Sequence, residues 1–154
     1  MWFTIRMTVI RPNTPEELDQ LLAIQVACIQ DLTDTYTPVE MKAWIDYIQK
    51  ETASRYEAFH NLVYTNDSHK IVGFVSWTDD GTEAKIECLY VLSDYRGKHI
   101  GQQLLKVAEG QVKAKKVMIR STLNARSFYE HNGYIFKSEA MSRSGFKIAL
   151  LERV

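Results

Sequence analysis

The sequence predicts an α/β domain with a mixed sheet, and its elements follow the order β-α-α-β-β-β-α-β-α-β-β. Apolar residues recur at helical spacing in two early segments, and short turns separate three apolar runs in the middle of the chain. The third run leads through a glycine-bearing turn into an amphipathic helix and a short strand. Strands joined by turns pair antiparallel, whereas a helical crossover makes its two strands parallel. The predicted sheet therefore contains both kinds of pairing.

Length and composition predict one domain over residues 1–154, with residues 1–6 as a short N-terminal extension. Nineteen basic and nineteen acidic residues give zero net charge, which argues against general attraction to nucleic acid or to an anionic membrane. Cys28 and Cys88 lie in apolar runs without CxxC spacing, which indicates reduced core thiols and no metal site. No apolar run approaches the roughly 18 residues of a membrane span, and no signal peptide is evident, so a cytoplasmic protein is expected.

Capping motifs mark the two early helices. A first strand is predicted over residues 7–11. The segments 14–17 and 37–40 both have threonine followed by proline and, two residues later, glutamate, which is the pattern of a capping box. Apolar residues then follow at helical spacing over 18–32 and 41–48. Both helices are therefore expected to begin at well-defined residues.

Turn residues and periodicity place the remaining elements. The third of the middle strands is almost continuously apolar, and we expect it to be buried on both faces. The last two strands form a hairpin. The predicted strands are 62–65, 71–77, 84–92, 117–120, 134–143 and 146–151, and the predicted helices are 99–113 and 125–131.

The stretch VLSDYRGKHIG at residues 91–101 predicts an anion-binding turn. The first N–H groups of the helix that follows lack partners within it, and its dipole is positive at that end. Gly97 and Gly101 allow a ligand to approach the backbone closely, while Arg96 and Lys98 supply positive charge. An ordinary strand-to-helix loop with solvated basic residues is the alternative, and glycine spacing alone does not separate the two.

Charge is unevenly distributed along the neutral chain. Residues 93–126 contain eight Lys or Arg against two acids. Such a basic half suits a compact polyanionic ligand better than a long duplex, although solvated helix faces would give the same count. A nucleic-acid-binding α/β domain that uses this segment is one rival function.

Two motifs together resemble the GNAT superfamily of acyl-CoA N-acyltransferases. VLSDYRGKHIGQQLL at residues 91–105 resembles its pyrophosphate loop, (Q/R)xxGx(G/A), and LNARSFYEHNGY at residues 123–134 resembles its second signature. The resemblance implies the GNAT fold, whose fourth and fifth strands splay apart. It also implies transfer of an acetyl group from acetyl-CoA, by direct attack, to a primary amine of a small molecule or peptide. A non-catalytic acyl-CoA-binding or sensing module on the same fold is the alternative.

The resemblance also assigns residues to coenzyme A. Backbone groups of Leu89 and Val91, on either side of Tyr90, are expected to pair with the pantetheine arm like an added strand. Asn124 matches the asparagine expected to bond the same arm, and Tyr129 is expected near the sulfur. The pyrophosphate is expected on the turn residues Arg96, Gly97, Lys98, His99, Ile100 and Gly101.

His99 departs from the family pattern because it stands where a glycine is usual. We expect helical dihedrals there, which a histidine adopts without a positive φ. Its imidazolium would add a donor to a phosphate, or the residue is merely tolerated at a helix start.

Two residues are candidates for acid–base catalysis. Tyr129 matches the family's tyrosine beside the sulfur, where a phenol protonates the departing thiolate, although Phe128 and Tyr129 together also suit core packing. Glu87 interrupts an apolar strand, where an unpaired carboxylate would be costly, so we expect a compensating role. That role is either general base or ion pair with Arg120 on the neighbouring strand. Glu83 is a weaker candidate for the base.

The acceptor pocket is expected between the early helices and the last hairpin. Its possible aromatic linings, each equally suited to the core, are Tyr36, Trp44, Tyr56 and Trp77. The expected partners are acetyl-CoA and an amine-bearing acceptor, with no nucleic acid, membrane or metal. The final strands are either sheet edges or shared in a homodimer.

Overall fold

A computed structural model describes residues 9–154 of the chain. The predicted N-terminal extension and the first two residues of the predicted first strand lie outside this range. The strands are β1 Val9–Pro12, β2 His60–Thr65, β3 Ile71–Asp79, β4 Glu83–Val91, β5 Lys116–Thr122, β6 Ile135–Met141 and β7 Lys147–Arg153. The α-helices are α1 Leu18–Gln30, α2 Pro38–Glu51, α3 Ile100–Gln111 and α4 Arg126–His131. The predicted element order is confirmed.

The described strands form one mixed sheet in the order β1-β2-β3-β4-β5-β7-β6. Only β4 and β5 pair in parallel, across α3, and the other neighbours are antiparallel. The helices α3 and α4 pack on one face of the sheet, and α1 and α2 cover the other. No helix within residues 9–154 is long and apolar enough to cross a membrane.

The capping residues fix where the early helices begin. The Thr37 hydroxyl accepts the Glu40 N–H at 3.1 Å, and the Glu40 carboxylate accepts the Thr37 N–H at 3.0 Å. In the first box the Glu17 carboxylate accepts the Thr14 N–H at 2.7 Å, and one 3-10 turn, Pro15–Glu17, precedes α1. Both helices therefore start where the sequence predicted.

A β-bulge at Glu87 shapes the centre of the sheet. The pairing of β3 with β4 passes from Ser76 opposite Cys88 to Trp77 opposite Ile86, which leaves Glu87 as an extra residue. The bulge reverses the alternation of side chains, so Ile86 packs in the core beneath α3 and Cys88 packs in the core beneath α1.

The parallel pairing of β4 with β5 ends at the bulge. Its last pair is Ile86 with Ile119, although β4 continues to Val91 and β5 continues to Thr122. The splay that the family resemblance implies is therefore present in this chain, and it begins beside Glu87.

The expectation that β4 would be buried on both faces is wrong. Ala84, Ile86 and Cys88 are buried, but Lys85 and Glu87 between them are exposed. The physical reason is that the side of the strand bearing Lys85 and Glu87 borders an open cavity instead of a packed helix.

Candidate functional site

Two cavities lie at the splay. The first, the central cavity, has a volume of about 400 Å³ and is bounded by α2, β4, β5, α4 and the β6–β7 turn. Glu87, Leu89, Tyr90 and Tyr129 all line it. The second, the turn cavity, has a volume of about 390 Å³ and lies over residues 95–102 at the start of α3. The structure thus brings both predicted motifs to one opening in the sheet.

The turn cavity presents a row of free backbone donors. Within residues 9–154, no oxygen accepts a hydrogen bond from the N–H groups of residues 97–102, and the first bond into α3 is from Gln103 N–H to His99 C=O at 3.0 Å. Gly97 has φ +78°, a left-handed conformation that glycine adopts without strain. Free N–H groups at a helix start form an anion site, so the observed geometry suits a phosphate.

Most of the predicted phosphate-binding residues line the turn cavity: Arg96, Gly97, His99, Ile100 and Gly101. Val91, predicted for the pantetheine arm, also lines it. Lys98 does not line the cavity, and its Nζ lies 5.4 Å from the centroid of the Tyr95 ring.

The expectation of a helical backbone at His99 is wrong. His99 has φ +62° and ψ +17°, so its backbone is left-handed. The turn reaches α3 through two left-handed residues, Gly97 and His99, and this is the conformation that the usual glycine adopts freely. Histidine tolerates it better than most residues, at a cost of about 1–2 kcal/mol.

Replacing His99 with glycine is therefore expected to raise the free energy of unfolding by about 1 kcal/mol. His69 is the matched control, because it also has a positive φ, of +63°, but lies in the β2–β3 turn away from both cavities. Denaturant unfolding of His99→Gly and His69→Gly should show similar gains. A clear loss of stability in His99→Gly alone would mean that the imidazole makes a stabilising contact.

The free edge of β4 faces the opening. Leu92 N–H donates to Val72 C=O at 2.9 Å, so the backbone groups of Leu92 and Tyr90 point toward β3. The backbone groups of Leu89 and Val91 alternate with these and point toward the splay. This is the arrangement that pairing with an added strand requires.

The Val91 carbonyl is already occupied within the protein. Arg96 Nε donates to it at 3.0 Å, and the Cys28 thiol lies 3.4 Å away. Arg96 Nη2 also contacts the Asp31 carboxylate at 3.3 Å, at the end of α1. Val91 therefore has its N–H, but not its carbonyl, available to a ligand.

Tyr129 belongs both to the core and to the central cavity. Its ring is buried at 6% exposure and packs against Phe128 and Tyr134, with centroid distances of 5.1 and 6.0 Å. Its hydroxyl forms no hydrogen bond with the described residues. Burial raises the pKa of this phenol above its ordinary value, so it keeps its proton at neutral pH.

Glu87 is not the buried carboxylate that the sequence suggested. It is exposed at the central cavity, and its carboxylate accepts a hydrogen bond from Thr78 Oγ1 at 3.3 Å. Among the described residues it forms no ion pair with Arg120, so that interpretation is wrong. The bulge places Glu87 at the cavity, where water solvates it. Glu83 lies at the other end of β4 and pairs with Lys116 Nζ at 3.6 Å.

Neither Asn124 nor the Tyr90 side chain points to a clear contact with the pantetheine arm. Asn124 is exposed in the 3-10 turn Leu123–Ala125 and lines neither cavity. The Tyr90 hydroxyl accepts a hydrogen bond from Gln25 Nε2 at 3.3 Å, so its side chain extends toward α1. Tyr90 thus forms part of the cavity wall.

Of the four aromatic residues suggested for the acceptor pocket, only Trp44 lines the central cavity. Tyr36, Tyr56 and Trp77 are core residues with exposures of 5%, 0% and 2%. The Tyr36 hydroxyl donates to Lys147 C=O at 2.6 Å and accepts the Leu123 N–H at 3.0 Å, which ties the end of β5 to β7.

A polar network in the wall of the central cavity was not predicted from the sequence. The buried Gln25 carbonyl accepts hydrogen bonds from Arg55 Nη1, at 2.8 Å, and from the Tyr56 hydroxyl. Gln25 lies on the apolar face of α1, and a polar residue at such a position was a usable signal. Arg55 had no such sequence signal, because the segment 52–61 has no clear periodicity. The structure shows a 3-10 helix, Ala53–Ala58, in this segment.

Comparison with known proteins points to one family. The model of the acetyltransferase (GNAT) domain matches residues 32–151. A GCN5-related N-acetyltransferase from Rhodopseudomonas palustris is 24% identical, with 99% of this chain and 98% of that chain covered and a TM-score of 0.84.

Two further structures share the fold. The PaiA N-acetyltransferase from Thermoplasma acidophilum, solved in complex with coenzyme A, is 21% identical over 95% of this chain and 98% of that one, with a TM-score of 0.76. An aminoglycoside 6'-acetyltransferase type Ii is 17% identical over 94% and 96%, with a TM-score of 0.70. A search of curated protein sequences finds no match.

Proposed function

Because this chain belongs to the GNAT acetyltransferase family, as its two motifs predict, we propose that it transfers an acetyl group from acetyl-CoA to a primary amine of a small molecule or peptide. One observation carries the proposal. The row of free N–H groups at residues 97–102 adjoins the free edge of β4, and that edge opens onto the cavity lined by Tyr129.

Main-chain groups of this chain would hold acetyl-CoA. The N–H groups of residues 97–102 suit the pyrophosphate, with Arg96 beside them. Both backbone groups of Leu89 and the N–H of Val91 suit the amides of the pantetheine arm. We propose that Asn124 also bonds the pantetheine arm, because it lies two residues after the end of β5 beside the splay. Acetyl-CoA supplies a thioester whose carbonyl carbon accepts an amine nucleophile.

Tyr129 and Glu87 would move the protons of the reaction. The amine nitrogen forms a bond to the carbonyl carbon, and the bond from that carbon to sulfur breaks. Tyr129, which burial keeps protonated at neutral pH, gives its phenolic proton to the departing thiolate. Glu87 takes a proton from the amine, directly or through water. Glu87 then releases that proton to solvent, and solvent returns a proton to Tyr129, so both residues regain their starting protonation states and the proton count balances.

Direct attack is favoured over an acyl-enzyme. Cys88 is a thiol that lines the central cavity, but burial raises its pKa to about 12. A thiol with that pKa is almost entirely protonated at neutral pH and is a poor nucleophile.

The test is thiol release from acetyl-CoA with a panel of amines, amino acids, polyamines and peptide N-termini. Acceptor-dependent release of coenzyme A is expected, with the acetylated product detected by mass. Thermal stabilisation by acetyl-CoA without thiol release for any acceptor would overturn the proposal and favour an acyl-CoA-binding module.

Replacing Glu87 with glutamine is expected to lower kcat/KM about 10²-fold near neutral pH. The deficit should shrink as pH rises, because the amine then loses its proton to solvent without a protein base. The measurement is kcat/KM against pH for Glu87→Gln and for the control Glu83→Gln, which removes a carboxylate paired with Lys116 outside the cavity. Equal profiles for both variants would remove Glu87 from the mechanism.

A further inference from the structure

We infer that the acceptor is an amine that also carries a carboxylate, and that basic residues of the central cavity bind this second group. The inference rests on the proposed function and names the substrate class of the same site. It follows from the charges that line the cavity, from the incomplete pairing of one arginine, and from where the phosphate-binding groups lie.

Positive charge predominates in the central cavity. Four basic side chains and two carboxylates line it, and they come from α2, the 3-10 helix, β4, β5 and the β6–β7 turn. They are Glu51, Arg55, Lys85, Glu87, Arg120 and Arg143. Among the described residues, Lys85, Arg120 and Arg143 form no ion pair. The cavity thus has an excess of cations that the protein itself does not neutralise.

Arg55 is the most enclosed of these cations. Its side chain is 16% exposed, and its Nη1 donates to Gln25 Oε1 at 2.8 Å. Its Nε is buried without a hydrogen-bond partner among the described residues, and the Glu51 carboxylate lies 3.9 Å from it. The guanidinium also lies 5.2 Å from the centroid of the Tyr56 ring, so its charge is partly compensated, but the donor at Nε lacks an acceptor. A carboxylate on a ligand beside this guanidinium would add the missing negative charge.

The pyrophosphate of coenzyme A does not account for this charge. The free N–H groups that suit a pyrophosphate face the turn cavity, and Arg55, Lys85, Arg120 and Arg143 all line the central cavity instead. The basic residues are therefore on the acceptor side of the splay.

The positive charge of the central cavity favours an amine that carries a carboxylate over a polyamine. A polyamine needs several carboxylates, whereas this cavity offers Glu51, which neighbours Arg55, and Glu87, which is proposed to receive the amine proton. An amine beside Glu87 with a carboxylate toward the arginines matches both signs of charge.

The experiment compares matched acceptors in the thiol-release assay. Glycine, methionine, phenylalanine and β-alanine are each assayed beside the corresponding amide, and spermidine represents the polyamines. For at least one pair, kcat/KM for the acid is expected to exceed that for the amide by about tenfold or more. An amino amide has the less basic amine and so more neutral nucleophile, which works against this result. Amides or spermidine as good as every acid would overturn the inference.

Variants locate the effect within the cavity. Arg120→Gln and Arg143→Gln change exposed residues and are each expected to reduce the acid-to-amide ratio about tenfold. Lys70→Gln is the control, because it removes one positive charge from the β2–β3 turn outside both cavities. A ratio that changes equally in all three variants would contradict a local anion site.

A binding measurement separates failure of this inference from failure of the proposed function. If no acceptor releases thiol, the proposed transferase activity fails. N-acetylmethionine and its amide are then compared as stabilisers of the protein in the presence of coenzyme A. A larger shift in melting temperature with the acid supports anion recognition, and equal shifts overturn it.

Discussion

Replacing Tyr129 with phenylalanine is expected to lower kcat by about 10²–10⁴-fold and to leave acetyl-CoA affinity nearly unchanged. The substitution removes only the hydroxyl, which has no hydrogen-bond partner among the described residues, so the packing against Phe128 and Tyr134 remains. The departing thiolate then lacks its proton donor. Because the phenol acts on the leaving group and not in binding, the loss should fall on turnover.

Steady-state kinetics and acetyl-CoA titration of Tyr129→Phe check this expectation. Tyr134→Phe is the matched control, because it removes a neighbouring phenol that donates to Glu109 Oε2 at 2.6 Å and lines neither cavity. The control should lose about 1 kcal/mol of stability and keep its turnover. Unchanged kcat in Tyr129→Phe with a good acceptor would exclude the phenol as the acid.

Replacing Gly73 with alanine is expected to destabilise the protein by about 1–3 kcal/mol and to weaken acetyl-CoA binding. A Cβ at Gly73 would lie 2.9 Å from the Tyr90 carbonyl oxygen and 3.2 Å from Val91 Cγ2. The first contact is with backbone, which cannot turn aside as a flexible side chain does. The end of β4 must therefore shift, and with it the free backbone groups of Leu89 and Val91.

Gly110→Ala is the control, and its stability is expected to change in the opposite direction. Gly110 lies in α3, and nothing is within 4 Å of a Cβ built there. Alanine favours a helix over glycine by about 1 kcal/mol, so this variant should gain stability. Denaturant unfolding and acetyl-CoA titration of both variants test the pair. A Gly73→Ala protein with unaltered stability and affinity would show that β4 moves freely at the splay.

The sequence predicted best those features that depend on neighbouring residues. The Thr37–Glu40 capping box forms as predicted, because both of its hydrogen bonds lie within one turn. The bulge at Glu87 depends on how β4 pairs with β3. The register of that pairing cannot be predicted from the sequence of β4 alone. The burial expected for Glu87, and the ion pair with Arg120 that was one of its two alternative roles, were wrong for that reason.

In the candidate site, too, local motifs were predicted from the sequence and contacts between distant segments were not. The second motif located Tyr129, whereas Arg55 reaches the cavity from a segment without periodicity. The backbone conformation of His99 could not be predicted from its residue type. Its place at a usual glycine was visible in the sequence, but histidine also adopts negative φ, and the left-handed backbone came from the path of the whole turn.

The free edge of β4 also bears on how this protein can evolve. The groups at that edge and along residues 97–102 are main-chain N–H and C=O groups, and almost any residue supplies them. Mutations can therefore replace many side chains around this opening without removing the groups themselves, provided that the backbone keeps its path. A chain with 24% identity and a TM-score of 0.84 shows how far sequence can diverge while the overall fold persists. Selection is then free to act on the side chains of the central cavity, where a different ligand would be accommodated.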